Sequence, residues 1–189
     1  DSLYGIFGVL GDLLATDSKY ETALSVALGS AVQFFVTKQD EDARNAIRFL
    51  KNNKSGRATF LPITTMKERH LREEHLLVCQ NTKGFLGVMS DFVKYPQEIQ
   101  RIVDNQLGHV IVADTLDHAS LLSKATFARY KVVTLDGEVI NVGGSLTGGS
   151  LKQSTSLLTS KRELELLAEK IRQREKDMTQ KKAKLNELD

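Results

Sequence analysis

The sequence predicts a mixed α/β body made of two related lobes, followed by a long C-terminal helix of coiled-coil type. Strand-like and helix-periodic segments alternate over residues 1–150, which favours mixed lobes. A glycine pattern recurs at an offset of 79 residues, which indicates an internal repeat. Apolar residues recur every seven positions near the C-terminus. We therefore expect lobe I at residues 1–80, lobe II at 81–155 and a coiled-coil arm at 156–189.

The repeat is clearest at the start of each lobe. Gly5-Ile-Phe-Gly-Val-Leu-Gly-Asp12 aligns with Gly84-Phe-Leu-Gly-Val-Met-Ser-Asp91, and Leu28-Gly29 aligns with Leu107-Gly108 at the same offset. Each copy then continues with an apolar strand, predicted over residues 32–36 and 110–113, and with a helix. Two copies of one unit imply two similar lobes.

Local signals place several elements. Helical spacing predicts a helix over residues 19–28 that Gly29 ends, and a second helix capped by Asp40. The buried face of the second helix is predicted to consist of Ala43, Ile47 and Leu50. A strand is expected over residues 57–61, ended by Pro62. Asp136-Gly137 between two β-rich runs predicts a two-residue hairpin.

The arm is predicted from heptad spacing. Leu164, Ile171, Met178 and Leu185 form one row, whereas Arg174 and Lys181 interrupt the second row, which contains Leu167 and Leu188. An apolar seam of this length needs a partner strand, and no matching segment occurs earlier in the chain. We therefore expect a piece of a longer protein, with a lone surface helix as the alternative.

Composition favours an ordinary water-exposed protein. Hydrophobic residues make up 41% and charged residues 26%, and no apolar run approaches the roughly 20 residues of a membrane span. We therefore expect no membrane partner. The start of the sequence has no basic segment typical of a signal peptide. Cys79 is the only cysteine, which predicts a buried inert thiol and a reducing, cytoplasmic setting.

Charge is distributed unevenly. The net charge is +2, but residues 1–150 have a balance of −1 and residues 151–189 a balance of +3. This surplus is too small to establish nucleic-acid binding by itself.

Catalytic and metal-binding patterns are missing from the sequence. It contains no G-x-x-x-x-G-K-[ST] loop, no G-x-G-x-x-G fingerprint and no G-x-S-x-G elbow. The histidines are scattered, and His70 and His75 are five residues apart rather than four, so we expect no metal site. Asp114 and Asp117 flank a helix start and are predicted to be N-terminal caps rather than an acid/base pair.

The most informative segment is the glycine motif, residues 141–150, with the sequence Asn-Val-Gly-Gly-Ser-Leu-Thr-Gly-Gly-Ser. Paired glycines allow a backbone with positive φ or a close approach by another backbone. From these residues alone, the motif is compatible with phosphate binding, with a contact between subunits, or with an internal turn.

Four stretches, taken in order, resemble the hinge domain of structural maintenance of chromosomes (SMC) proteins, most closely the bacterial type. They are Tyr20-Glu-Thr-Ala-Leu-Ser-Val-Ala-Leu-Gly29, Gly56-Arg-Ala-Thr-Phe-Leu-Pro62, Val133-Thr-Leu-Asp-Gly137 and the glycine motif. Each stretch is modest alone, but the ordered set is specific. The terminal heptads are similar to the outgoing arm of the family.

The resemblance implies a homodimer without catalytic residues in this segment. The positions that it implies at the dimer contact are Gly143, Gly144, Ser145, Gly148 and Gly149. It also implies that ATP and Mg²⁺ bind only at distant head domains outside this chain. Kleisin and accessory subunits are expected on those heads, and the protein is expected at the nucleoid.

DNA contact is a further expectation from the resemblance. Bacterial relatives can carry several lysines after the second glycine pair, but here only Lys152 follows it. Two basic groups are therefore candidates for weak, sequence-neutral DNA binding. One group consists of Arg44, Arg48, Lys51, Lys54 and Arg57, with a solvated helix face as its alternative. The other consists of Lys152, Lys161 and Arg162.

Two other functions remain open from the sequence. A nucleotide-binding enzyme domain would use the glycine motif for phosphate. An unrelated coiled-coil scaffold with a globular cap would dimerise through the heptads instead.

Overall fold

The computed structural model describes residues 4–151 and 157–187, and it confirms a mixed α/β fold followed by a long helix. Contacts divide the chain into Asp1–Leu151 and Lys152–Asp189. The strands are β1 (Ile6–Val9), β2 (Ala15–Thr16), β3 (Phe35–Thr37), β4 (Phe60–Pro62), β5 (Phe85–Val88), β6 (Val93–Lys94), β7 (Val110–Ala113), β8 (Lys131–Thr134), β9 (Val139–Ile140) and β10 (Leu146–Thr147). The helices are α1 (Leu10–Leu13), α2 (Glu21–Leu28), α3 (Asp40–Asn52), α4 (Glu73–Gln80), α5 (Gln100–Leu107), α6 (Leu116–Ala125) and α7 (Leu157–Glu187). Short 3₁₀ turns occupy Ser18–Tyr20, Gly29–Gln33, Met89–Phe92 and Gln97–Ile99.

Each lobe contains the same sheet arrangement. In lobe I, β3 lies between antiparallel β1 and parallel β4. In lobe II, β7 lies between antiparallel β5 and parallel β8, and the sheet continues through β9 to β10. A two-stranded ladder of β2 and β6 links the lobes. The boundaries that we predicted at 80/81 and 155/156 stay predictions.

The repeat extends to individual glycine contacts. Gly5 and Gly84 precede the first strand of each lobe with φ of 78° and 88°. A Cβ added at Gly5 would lie 2.2 Å from Asp42 Cγ, and one at Gly84 would lie 2.2 Å from His118 Cβ. Asp42 and His118 are each the third residue of the helix that follows. Glycine is therefore required at both places because the first strand approaches the helix start closely.

A buried core forms between the lobe II sheet and helices α4 and α6, so α4, which precedes the predicted 80/81 boundary, packs against lobe II. Its buried members are Cys79, Ile111, Ala113, Ala119, Leu122, Tyr130, Val132 and Ile140. Cys79 is fully buried, as the sequence predicted, and burial raises the pKa of its thiol to about 11. This thiol is therefore a packing group rather than a nucleophile.

Helix α3 differs from its prediction in two respects. Its N-cap is Gln39 rather than Asp40, and a capping box joins Gln39 to Asp42, whose Oδ2 accepts from the Gln39 backbone N–H at 3.0 Å. Its buried residues are Ala43 and Ala46, whereas Ile47 is 50% exposed. The sheet of lobe I has three short strands, and it covers only a narrow strip of the helix.

The predicted helix over residues 19–28 begins later, at Glu21, after the 3₁₀ turn, and Gly29 ends it with φ of 54°. The strand predicted over residues 57–61 is shorter and includes Pro62, which pairs with Thr37. Proline is tolerated there because β4 lies at the edge of its sheet.

Three further local features, a strand start, a hairpin turn and a helix cap, also differ from the prediction. In the apolar segment 32–36, Val32 and Gln33 belong to a 3₁₀ turn, and β3 starts only at Phe35. The Asp136-Gly137 turn does form a hairpin, but its loop has a third residue, since Thr134 N–H donates to Glu138 O at 3.0 Å. The cap of α6 is Thr115, not Asp114, because Thr115 Oγ1 accepts from the backbone N–H of His118.

Helix α7 forms over most of the predicted arm. Three heptad residues, Ile171, Met178 and Leu185, have half or more of their side-chain surface exposed. None of the described helices is both long enough and apolar enough to span a membrane.

Candidate functional site

The glycine motif forms a hairpin at the edge of the lobe II sheet. Val139–Ile140 pairs antiparallel with Leu146–Thr147, and β10 is the last strand of the sheet. Gly143 and Gly144 lie in the connecting loop with φ of 92° and 104°. The backbone N–H of Gly143 donates to Ala128 O at 2.8 Å, which anchors the loop to the segment after α6.

Asn141 organises this hairpin, a role that sequence reasoning missed. Its backbone N–H donates to Ser145 O at 2.7 Å. Its side-chain Nδ2 lies 3.2 Å from Ser145 O, from Ser145 Oγ and from Thr147 Oγ1. The available signal was the placement of an Asn directly before a glycine pair, because Asn side chains commonly bond to nearby turn backbone.

The glycines differ in what requires them. Gly143, Gly144 and Gly149 have positive φ, and a Cβ on any of them would meet nothing within 4 Å in this chain. Gly148 has no positive φ, and its Cβ would lie 3.2 Å from Glu138 Cγ. Positive φ therefore favours glycine at three of the four positions, and at those three no packing contact within this chain excludes a side chain.

Apolar side chains stand exposed beside these glycines. Val142 is 62% exposed and Leu146, on the edge strand itself, is 64% exposed. Ser145 is also exposed next to them. An edge strand presents unpaired backbone donors and acceptors, and an apolar edge is a template for pairing with another chain. This surface is therefore suited to contact with a further strand.

A cleft of about 290 Å³ adjoins the motif and bears on the nucleotide alternative. Its lining includes Gly148 and Gly149 and one basic side chain, Lys131. The Lys131 ammonium already donates to Ala27 O at 3.3 Å. A phosphate site that resembled a P-loop would surround the anion with backbone N–H groups and a free lysine. Among the described residues that line the cleft, the one lysine is Lys131, and it is already bonded to Ala27.

The first basic group lies on and after helix α3. Arg44 is held by Asp40, with Nε and Oδ2 2.8 Å apart, and Arg48 donates to Asn45 Oδ1 at 3.0 Å. Lys51, Lys54 and Arg57 are exposed. The acidic residues Asp40, Glu41 and Asp42 occupy the first turn of the helix, so positive charge is concentrated at its C-terminal end.

The second basic group can be placed only in part. Lys152 lies outside the described residues. Lys161 and Arg162 belong to helix α7, but their side chains are outside the described set.

Comparisons with known proteins assign the family. A model of the SMC proteins Flexible Hinge Domain matches residues 3–123. The chain is 40% identical over 176 residues to the chromosome partition protein Smc of Bacillus subtilis, covering 93% of this chain and 15% of that protein. It is 38% identical over 158 residues to Smc of Clostridium kluyveri, covering 83% of this chain and 13% of that protein.

Solved structures agree with this assignment. The Geobacillus stearothermophilus SMC hinge domain, solved as an asymmetric dimer, matches with a TM-score of 0.81 and 39% identity, covering 94% of this chain and 71% of that chain. The Pyrococcus furiosus SMC hinge domain matches with a TM-score of 0.65 and 30% identity, covering 78% of this chain and 74% of that chain. With the repeated lobes and the long terminal helix already in place, these matches mean that the chain belongs to the family of SMC hinge domains.

Proposed function

We propose that this hinge domain joins two copies of its protein into a homodimer through the glycine motif and the edge of β10. The observation that carries the proposal is an edge of β10 that no described strand pairs with, where Leu146 on the strand and Val142 in the loop before it are both exposed. The related hinge of G. stearothermophilus is described as a dimer, which supports the same assembly here.

The two lobes suggest which edges pair. The sheet of lobe I stops at β4, whereas the equivalent strand of lobe II, β8, is followed by β9 and β10. Addition of β10 from one subunit to the β4 edge of the other would continue the lobe I sheet. Strands pair at about 4.8 Å, and side chains at positions 143, 144, 148 and 149 would stand in the way of such an approach. Ser145 would lie in the same contact.

Light scattering after size-exclusion chromatography tests this proposal. Residues 1–155, without the arm, should be dimeric, because the contact is assigned to the body. Leu146→Glu should give folded monomers, since a charge on an edge strand opposes pairing. Leu77→Glu, on helix α4, is the matched control at 57% exposure and should leave the dimer intact. A dimer that vanishes with residues 156–189 would support a coiled-coil scaffold instead.

Replacement of all four motif glycines by alanine is a second variant. We expect a folded monomer, because each lobe has its own strands and helices. Alanine at Gly143, Gly144 and Gly149 also strains a positive-φ backbone, so Leu146→Glu is the cleaner probe. An unfolded quadruple variant would mean that the glycines serve the internal turn.

DNA contact is proposed as a secondary property of the chain. It would be weak, sequence-neutral and lost as salt rises, because it depends on lysine and arginine contacts to phosphate. Within the first group, Lys51, Lys54 and Arg57 are the stronger candidates, since Arg44 is already paired with Asp40. The second group would place DNA near the start of the arm.

The activity of the whole protein is also a proposal, because the chain spans about a sixth of the length of the curated relatives. We infer a chromosome-segregation ATPase of the cytoplasm and nucleoid, with ATP, Mg²⁺, kleisin and accessory subunits at head domains outside this chain. A thermal-shift measurement tests one part of this. ATP with Mg²⁺ should not stabilise the hinge, and a clear stabilisation would favour a nucleotide site in the glycine motif.

A further inference from the structure

Three potential metal ligands converge where the connection between the lobes, residues 63–72 from β4 to α4, passes helix α5. Glu68 and His70 lie in this connection, and Asp104 lies on helix α5. One ligand atom from each residue lies within 4.8 Å of the other two. His70 Nε2 and Glu68 Oε2 are 3.2 Å apart.

The backbone of the connection is fixed against α5. Asn105 Nδ2 donates to Lys67 O at 2.7 Å, and Arg101 Nη1 donates to the carbonyls of Ile63 and Thr64 at 3.1 Å each. A Cβ at Gly108 would lie 2.2 Å from Arg69 O, so the chain passes directly over the end of the helix. The segment that carries Glu68 and His70 is therefore held beside the helix that carries Asp104.

Asp104 is an unusual member of this group, because it is only 8% exposed. Gln100 provides a side-chain hydrogen bond, but no lysine or arginine of residues 4–151 forms an ion pair with it. Glu68 and Asp91 add further negative charge nearby, and His70 is the favourable charge partner. One neutral hydrogen bond from Gln100 offsets only part of the cost of burying this carboxylate among negative charges, and a bound cation would offset more.

The ligand set selects a class of ion. One imidazole nitrogen and two carboxylate oxygens suit zinc and similar divalent transition metals, whereas Mg²⁺ and Ca²⁺ prefer oxygen ligands alone. Tetrahedral zinc, with zinc–ligand distances of about 2.0–2.2 Å, places its ligand atoms roughly 3.2–3.6 Å apart. The pair His70 and Glu68 already has this spacing, and both side chains are half exposed, at 54% and 49%, so they are free to move toward Asp104 when an ion binds.

We propose that Glu68, His70 and Asp104 form a binding site for one divalent transition-metal ion, with zinc as the probe ion. The ion would tie the connection between the lobes to helix α5, and water would complete its coordination. Sequence spacing predicted no metal site because Asp104 is far from the other two ligands along the chain. The proposal is independent of dimerisation, since all three ligands lie outside the glycine motif and β10.

The test uses the tag-free full chain, treated with EDTA and dialysed. Calorimetric titration with ZnCl₂ should show one bound ion per chain, and the melting temperature should rise with zinc but not with the same concentration of MgCl₂. With Co²⁺ in place of zinc, a visible absorption band should saturate at one equivalent. Absence of zinc binding would overturn the proposal.

Three variants locate the ion. His70→Gln and Asp104→Asn should each weaken zinc binding by at least about tenfold and abolish the rise in melting temperature. His118→Gln is the matched control, because it removes a histidine that also lies beside a carboxylate, 2.7 Å from Asp114, and it should bind zinc normally. If Asp104→Asn does not fold, His70→Gln still tests the site, because His70 is half exposed and its replacement should leave the fold intact. Unchanged zinc affinity in His70→Gln would refute the site.

Discussion

The ring of Tyr20 stacks on the ring of Phe92, with centroids 4.2 Å apart and planes inclined by 16°. Tyr20 precedes helix α2 in lobe I, and Phe92 precedes β6 in lobe II. The hydroxyl of Thr16 donates to Phe92 O at 2.5 Å in the same place. The lobes are therefore joined by an aromatic pair set beside the β2–β6 ladder.

A double-mutant cycle should detect this pair. Tyr20→Ala and Phe92→Ala should each lower the free energy of unfolding, and their coupling should be about 0.5–1.5 kcal/mol beyond simple burial. Urea denaturation of the two single variants and the double variant measures it. The pair Phe35 and Phe60, with centroids 5.5 Å apart inside lobe I, is the comparison. If the effects of Tyr20→Ala and Phe92→Ala on the free energy of unfolding simply add, the stacked rings contribute no coupling energy between the lobes.

The two strand-start glycines should be equally intolerant of a side chain. Gly5→Ala and Gly84→Ala should each destabilise the fold by roughly 2–4 kcal/mol, because backbone strain adds to overlap with Asp42 or His118. Gly29→Ala is the control, since its φ of 54° carries the strain while its Cβ would meet open space. Urea midpoints of the three variants should show a clearly smaller loss for Gly29→Ala. Equal losses of stability in all three variants would mean that backbone strain alone, without steric overlap, accounts for the destabilisation.

Cys79 should resist alkylation in the folded protein. With a thiol pKa of about 11, roughly one thiol in a thousand is ionised at pH 8. Iodoacetamide labelling followed by mass spectrometry should be very slow in buffer and fast in concentrated urea. Rapid labelling of the native chain would show that helix α4 opens readily from the core.

His109 should make the fold less stable in mild acid. Burial lowers the pKa of its imidazole, with a further contribution from nearby Arg69, and its buried Nδ1 has no hydrogen-bond partner among the described residues. As pH falls below about 6.5, the unfolded chain takes up a proton before the folded chain does. The free energy of unfolding therefore falls, and it recovers as pH rises again.

Urea midpoints at pH 7.5 and 5.5 measure this effect. His109→Gln should lose less stability than the parent chain between the two pH values. The loss of stability of Arg69→Gln between the two pH values should lie between those of the parent chain and of His109→Gln. This variant removes one positive charge that disfavours the imidazolium form of His109. A pH response that survives unchanged in His109→Gln would assign it to other groups.

Local sequence signals predicted several turns and helix ends, although they misplaced the caps of α3 and α6, and they predicted packing less well. The Asp136-Gly137 turn, the end of α2 at Gly29 and the buried thiol of Cys79 depend on neighbouring residues or on composition, and the sequence shows them directly. The exposure of Ile47 could not be predicted, because it depends on the width of the sheet beneath α3. Leu146 likewise became informative only when β10 proved to be the last strand of its sheet.

The candidate site was likewise predictable from the sequence only in part. The positions of the paired glycines were evident from the sequence, but their open surroundings were not. Asp104 gave no sequence signal at all, since its neighbours Glu68 and His70 are brought to it by the route of the connection between the lobes.

That connection has a consequence for how subunits can be exchanged. Domain swapping needs a hinge segment that can detach and extend so that a lobe docks on a second molecule. Here the segment is bonded to α5 through Arg101 and Asn105 and passes against Gly108, while Tyr20 and Phe92 hold the lobes together nearby. A lobe could separate from the other lobe of the same chain, and dock on a second molecule, only after all of these contacts had broken. Mixed assemblies of tagged and untagged chains should therefore form by whole-subunit dissociation, at the rate at which the subunits separate.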